Sequence, residues 1–123
     1  VILSFYPAAF TGVCTNQACT VNDAMSSLSS SDCDVIGISV DAPFSNKAFA
    51  DANGISYPLL SDVHREVITA YGVTFDDFAI KGYTVAQRSV FVVEADGTIG
   101  YAWYSENPGM EPDYEALFAH IGV

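Results

Sequence analysis

The chain has 123 residues, half of them apolar, and carries 15 Asp and Glu against 4 Lys and Arg, a net charge of −11. That length fits one domain, residues 1–123, around one hydrophobic core. The acid excess argues against nucleic acid or anionic lipid as a partner, and no stretch approaches the roughly 18 apolar residues of a membrane span.

The first six residues, Val1-Ile-Leu-Ser-Phe-Tyr6, form a nearly continuous apolar run of the kind buried on both faces of a central sheet. Pro7 ends it. Beyond Gly12 the apolar residues Ala18, Val21, Met25 and Leu28 recur at spacings of three and four, which predicts an amphipathic helix with Cys14 in its first turn. A thiol there sits at the positive end of the helix dipole, among unpaired N–H groups that favour thiolate over thiol. Such sites bring a free cysteine's pKa of about 8.5 toward neutrality. Thr11 can set its hydroxyl beside the sulfur. The plainer alternative makes Cys14 a buried small apolar residue and Thr11 an N-cap.

Val35 to Val40 is a second buried strand, and Phe44 to Asn53 a short helix capped by Ser45 and stopped by Gly54. Pro58 to Leu60 is a short third strand. A helix follows through Val63, Val67 and Tyr71, capped by Ser61 or Asp62 and ended by Gly72. Thr74 to Thr84 reads as irregular. Ser89 to Glu94 and Thr98 to Tyr104 flank Ala95-Asp-Gly97, a hairpin signal. Tyr101, Trp103 and Tyr104 alternate along the last strand, predicting one core face and one face for a lid or interface. Pro112 opens a terminal helix through Tyr114, Leu117, Phe118 and Ile121. Strands alternating with helices, then an antiparallel pair, predict an α/β fold with a mixed sheet covered on both faces.

Three cysteines, an odd number, do not read as a secreted disulfide framework, so a reducing cytoplasm is expected. Cys33 has no neighbour that would activate it and reads as structural. Counting the cysteines with His64 and His120 gives a conceivable zinc set, but Cys-x4-Cys lacks the usual close pair; both histidines are expected on helix surfaces. Phe10, Phe44 and Phe78 are expected in the core, with an apolar substrate or dimer surface as the alternative. The acid excess fits either a protein adapted to concentrated salt, where screening shortens to about 3 Å at 1 M, or an ordinary acidic domain.

Pro7-x-x-x-Thr11-x-x-Cys14, the run Cys14-Thr-Asn-Gln17-Ala-Cys19 and Arg88 at the start of a strand together resemble the peroxiredoxins, cysteine-based peroxidases on a thioredoxin-like fold. Tyr57-Pro-Leu-Leu-Ser-Asp62, Ala70-Tyr-Gly-Val73 and Arg88 to Thr98 resemble further segments of that family, in its order. Within it, Ala9-Phe-Thr-Gly-Val-Cys14 is similar to the alkyl hydroperoxide reductase E type, which works with one cysteine. The second cysteine, five residues on, is similar to the bacterioferritin comigratory protein, or Q, type. The presence of that second thiol favours the two-cysteine mechanism.

The resemblance implies thiol-dependent reduction of hydrogen peroxide and organic hydroperoxides, with no metal, haem or flavin. It makes Cys14 the attacking thiolate. Thr11 and the N–H groups of Val13 and Cys14 would hold the peroxide oxygens, Arg88 would stabilise negative charge with Gln17 as its buttress, and Pro7 would shield the sulfur from water. Cys19 becomes the resolving residue of a Cys14–Cys19 disulfide, recycled by a thioredoxin- or glutaredoxin-type donor, in a monomer or homodimer. Five residues along a helix rise about 7.5 Å and turn about 140°, so the sulfurs face apart and roughly Thr11 to Thr20 must unwind for the bond to form. Family members carry a hairpin and a further strand ahead of this core strand, so the sequence is expected to lack that portion. A one-cysteine peroxidase, a redox-sensing interaction module without turnover and an inactive scaffold are the alternatives.

Overall fold

In the computed structural model, which describes residues 1–123, the opening apolar run becomes a buried strand, β1 (Ile2–Phe5). Its neighbours are β2 (Val35–Ser39), paired parallel, and β6 (Ser89–Val93), paired antiparallel. β3 (Leu59–Ser61) lies parallel beyond β2, and β7 (Ile99–Tyr104) antiparallel beyond β6, so the sheet order is β3-β2-β1-β6-β7. This is the mixed sheet the sequence predicts. The turn at Ala95-Asp-Gly97 joins β6 to β7, with Gly97 at φ 88°, a conformation that favours glycine.

Alternation along β1 sends Ile2 to one face and Leu3 and Phe5 to the other. Ile2, Val35, Val90 and Val92 pack beneath Val21 of α1 (Gly12–Asp23), Leu28 of α2 (Met25–Ser30) and Leu117 of α5 (Tyr114–Ile121). Leu3, Phe5, Ile38 and Phe91 pack against Ile68 of α4 (Glu66–Ala70) and against Val73, Val85 and Ala86. A third cluster joins Tyr6, Cys14 and Ala18 to Phe49 of α3 (Pro43–Asn53), around the first half of α1. Gly37 in β2 makes this arrangement possible. A Cβ there would stand 2.5 Å from Leu59 Cδ2 and 3.4 Å from the rings of Tyr6 and Tyr57.

Several boundaries differ from the sequence reading. The apolar stripe continues to Leu28, but the helix breaks at Ala24, whose N–H bonds Val21 O in a tight turn at 3.1 Å. α3 begins at Pro43, whose fixed φ suits a first helical position, and Ser45 caps nothing. Asp62 does serve α4 as expected, accepting from Val67 N at 3.2 Å and Ile68 N at 2.9 Å, but the helix begins only at Glu66. Arg65 intervenes in the left-handed region and donates to Thr84 O at 2.8 Å and Val63 O at 2.9 Å, with its guanidinium over the Tyr83 ring. The segment read as irregular supplies β4 (Thr74–Phe75), which pairs with β5 (Val85–Ala86). Two-residue strands have no periodicity to read.

α5 starts at Tyr114, after a true cap: Asp113 Oδ1 accepts from Ala116 N at 3.0 Å. β7 lies at one edge of the sheet; Tyr101 and Trp103 are half-buried on one face, while Tyr104 is exposed on the other and meets Phe91 in a T-shaped contact. The expectation of three core phenylalanines fails. Phe10 is 58% exposed, Phe44 87%, and Phe78 half-buried.

Candidate active site

β1 delivers the chain into a short irregular loop, and α1 carries it away; Cys14 lies on the first turn of that helix, 1% exposed. Thr11 stands at the N-cap position, but its hydroxyl does not cap. It donates to Ala8 O at 2.8 Å, so the first-turn N–H groups, those of Val13 and Cys14 among them, have no capping side chain. Pro7 is buried at the end of β1, and Phe10 adopts φ 66°, left-handed and uncommon for a bulky residue.

Arg88 immediately precedes β6 and is 2% exposed, which rules out a surface arginine. Its Nη2 lies 3.3 Å from Cys14 Sγ, and its Nη1 donates to Gln17 Oε1 at 2.6 Å. Nη2 and Nε both donate to Pro108 O, at 2.7 and 3.2 Å. Gln17, one turn beyond Cys14, is fixed in turn: its Nε2 donates to Ser4 Oγ at 2.8 Å and Phe5 O at 3.2 Å. Arg88 has no carboxylate within ion-pair distance; the two ion pairs of the chain are Lys47–Asp51 and His120–Glu94. A buried cation calls for a counter-charge. Within its reach, the group able to supply one is the Cys14 sulfur.

Behind the thiol, Tyr6 donates to Asn46 Oδ1 at 2.6 Å, and Asn46 Nδ2 donates to Ser39 Oγ at 3.0 Å and Ser61 Oγ at 2.9 Å. Burial pushes the Tyr6 phenol far above its ordinary value, and the nearby Asp41 and Cys14 push the same way. Tyr57 is also pushed far up, chiefly by burial, with Tyr6 and Cys19 adding to it.

Residues 1–102 match the AhpC/TSA family. A putative peroxiredoxin of Mycobacterium tuberculosis is 45% identical over 107 residues, covering 85% of this chain and 68% of the relative. Peroxiredoxin Bcp of Escherichia coli is 38% identical over 104 residues, covering 84% and 67%. The crystal structure of peroxidoxin BcpB from Mycobacterium tuberculosis superposes with a TM-score of 0.85 at 30% identity, over 98% of this chain and 76% of that one. The chain belongs to the AhpC/TSA family. It is a peroxiredoxin, a thiol peroxidase on a thioredoxin-like fold.

Within this peroxiredoxin the structure brings Cys14, Arg88 and Gln17 into direct contact. Cys19 is not among them. It is half-buried on the same helix, and all three cysteines are free thiols. The stretch around Cys19 is tied down: Tyr57 donates to Ala18 O at 3.1 Å, while Asn22 accepts from Ser56 N at 2.9 Å and donates to Gly54 O at 3.0 Å. Cys33 is buried, and its thiol points at Asp34 O, 3.7 Å away. His64 is exposed in the turn before α4 and not on a helix; His120, in the last turn of α5, pairs with Glu94 at 2.8 Å. The sequence reading missed Pro108 and the Tyr6–Asn46–Ser39 network. Pro108 acts through its backbone carbonyl, which no residue pattern announces.

Proposed function

We propose that the chain reduces hydrogen peroxide and organic hydroperoxides at Cys14 and returns to the thiol through Cys19. The observation that carries this reading is the buried Arg88, whose guanidinium touches the Cys14 sulfur and no carboxylate. A thiolate there supplies the missing counter-charge.

The Cys14 thiolate attacks the terminal oxygen of the hydroperoxide. The O–O bond breaks, the sulfur is oxidised to sulfenic acid, and the other oxygen leaves as alkoxide or hydroxide and takes a proton from solvent. Arg88 stabilises charge as it passes from sulfur to the leaving oxygen. The Thr11 hydroxyl proton is engaged with Ala8 O, which leaves the oxygen's lone pairs to accept from the hydroperoxide O–H. The unpaired amides of Val13 and Cys14 hold the oxygens from the other side, and Pro7 limits water.

Cys19 then attacks the sulfenic sulfur, forming the Cys14–Cys19 disulfide and releasing water. A thioredoxin- or glutaredoxin-type dithiol reduces that disulfide and leaves with its own two thiols oxidised. In an intact helix, Cα atoms five residues apart are separated by about 8.6 Å, beyond the roughly 6.8 Å limit of a disulfide. The start of α1 therefore unwinds in this step. One domain acting as a monomer or homodimer in a reducing cytoplasm suffices for the cycle; no helix is long and apolar enough to cross a membrane. The Tyr57 bond to Ala18 favours the competing one-cysteine cycle, because it holds the helix wound beside Cys19.

The test is the second-order rate of the reduced protein with hydrogen peroxide, followed by intact mass and disulfide mapping on the wild type, Cys14→Ser and Cys19→Ser. A rate orders of magnitude above free cysteine and a Cys14–Cys19 bond are expected. A fast reaction that stops at sulfenic acid selects the one-cysteine cycle. A rate equal to that of free cysteine overturns the peroxidase reading in favour of a sensing module or scaffold.

A further inference from the structure

Asp41 lies just beyond β2, on a different element from every residue placed in the site so far, yet it reaches into the loop before α1. Its Oδ2 accepts the Ala9 N–H at 2.8 Å. The same oxygen accepts the Ser39 hydroxyl at 2.7 Å, and the Asp41 N–H returns to Ser39 Oγ at 3.2 Å. Ser39 is held by Asn46, which is held by Tyr6 and Ser61. The half-buried carboxylate is thus the end of a chain of hydrogen bonds anchored in β2, β3 and α3 and at Tyr6, directly after β1.

The Ala9 N–H belongs to the same planar peptide unit as the Ala8 carbonyl. That carbonyl accepts the Thr11 hydroxyl at 2.8 Å. Fixing the N–H therefore fixes the opposite edge of the plane, and with it the rotor of the Thr11 side chain. Without Asp41 the Ala8–Ala9 peptide can turn over, and the Thr11 hydroxyl loses its acceptor. The next residue, Phe10, is in the left-handed region at φ 66°, a conformation that persists where the surrounding structure over-determines it.

We propose that Asp41 is a positioning residue for the peroxide step: through the Ala8–Ala9 peptide it aims the Thr11 hydroxyl so that its lone pairs accept the hydroperoxide proton. This rests on the reading of Thr11 as a hydroperoxide-binding group. Asp41 itself touches neither sulfur nor substrate. Its effect falls on the reaction that uses Thr11 and spares reactions of the thiolate that do not.

Two rates separate these cases, oxidation by hydrogen peroxide and alkylation by iodoacetamide, each measured on wild type, Asp41→Ala, Asp41→Asn, Thr11→Val and the Asp41→Ala/Thr11→Val pair. Asp41→Ala should slow the peroxide reaction about tenfold to a hundredfold, the scale of a small misplacement of a reacting group, while alkylation stays within about twofold. Asp41→Asn, whose amide oxygen can accept both bonds, should restore most of the peroxide rate. In the Thr11→Val background the loss of Asp41 should add nothing. Asp41→Glu keeps the charge and displaces the oxygens by one methylene; it carries the test, with a loss of at least about threefold expected, should the alanine variant not fold. The proposal is overturned by an unchanged peroxide rate, by a parallel fall in alkylation, or by losses that multiply in the double variant. A wild type no faster than free cysteine overturns the peroxidase reading and this inference together; a fast wild type with an equally fast Asp41 variant overturns the inference alone.

Discussion

Cys14 and Cys33 are both buried free thiols, 1% and 6% exposed, and burial alone does not tell them apart. Their surroundings do. Cys33 packs among Leu28, Val35 and other apolar side chains, its sulfur directed at the Asp34 carbonyl. Cys14 meets a guanidinium at 3.3 Å and the uncapped start of a helix. One sulfur faces a cation and the other only a carbonyl oxygen and apolar side chains. Reactivity follows from the charge a site is built to hold, which the composition of its apolar walls does not reveal.

The comparison breaks most directly by exchange of the thiols themselves. Cys14→Ser should abolish peroxide reduction. Arg88→Ala should come next, slowing sulfur oxidation by about a hundredfold or more, the scale seen when one charge-stabilising donor is lost. Arg88→Lys should recover only part of that rate, because an ammonium cannot bond Cys14, Gln17 and Pro108 together. Stopped-flow kinetics on the reduced proteins checks both, and a slow reaction of equal rate from Cys14 and Cys33 would remove the distinction.

Smaller effects sharpen it. Tyr57→Phe removes one hydrogen bond from Ala18 O, worth about 1 kcal/mol, and should speed disulfide formation about fivefold while leaving the first oxidation unchanged. Trapping of sulfenic acid over time reads this. Folding should also depend on pH through Tyr6 and Tyr57, both raised by burial. The unfolded chain ionises these phenols near pH 10 and the folded chain only above that, so their contribution is complete below about pH 10 and declines as pH rises further. Alkaline unfolding followed by circular dichroism should set in above about pH 10. Cys33→Ala should give the least change, about 1 kcal/mol of stability by denaturant titration and no change in peroxide rate.

Much of this was legible from local pattern. β1, β2 and the β6–β7 hairpin show continuous or turn-bounded apolar runs, and Cys14, Thr11 and Gln17 stand at fixed offsets on one loop and helix. Arg88 was legible through the family resemblance, although its contact spans 74 positions. What was hidden depends on backbone groups or on distant polar partners. The Pro108 carbonyl, the Asp41–Ala9 bond and the Tyr57–Ala18 bond have no sequence period. Phe10 misled because its hydrophobicity suggests burial, whereas its left-handed backbone turns the ring outward onto Phe49.

The placement of the four cations also shapes traffic to the site. Arg88 is buried against the thiol, Arg65 is engaged with Thr84, Val63 and Tyr83, Lys47 is paired with Asp51, and Lys81 is exposed with no carboxylate partner. With 15 carboxylates against these four cations, a collision partner approaching through solvent meets a field that is negative on balance. Neutral hydrogen peroxide diffuses through it without a barrier, while an anionic hydroperoxide or an acidic electron donor is steered away. Added salt lifts that barrier within a Debye length of the surface, so ionic strength discriminates among oxidants and donors before any of them reaches Cys14.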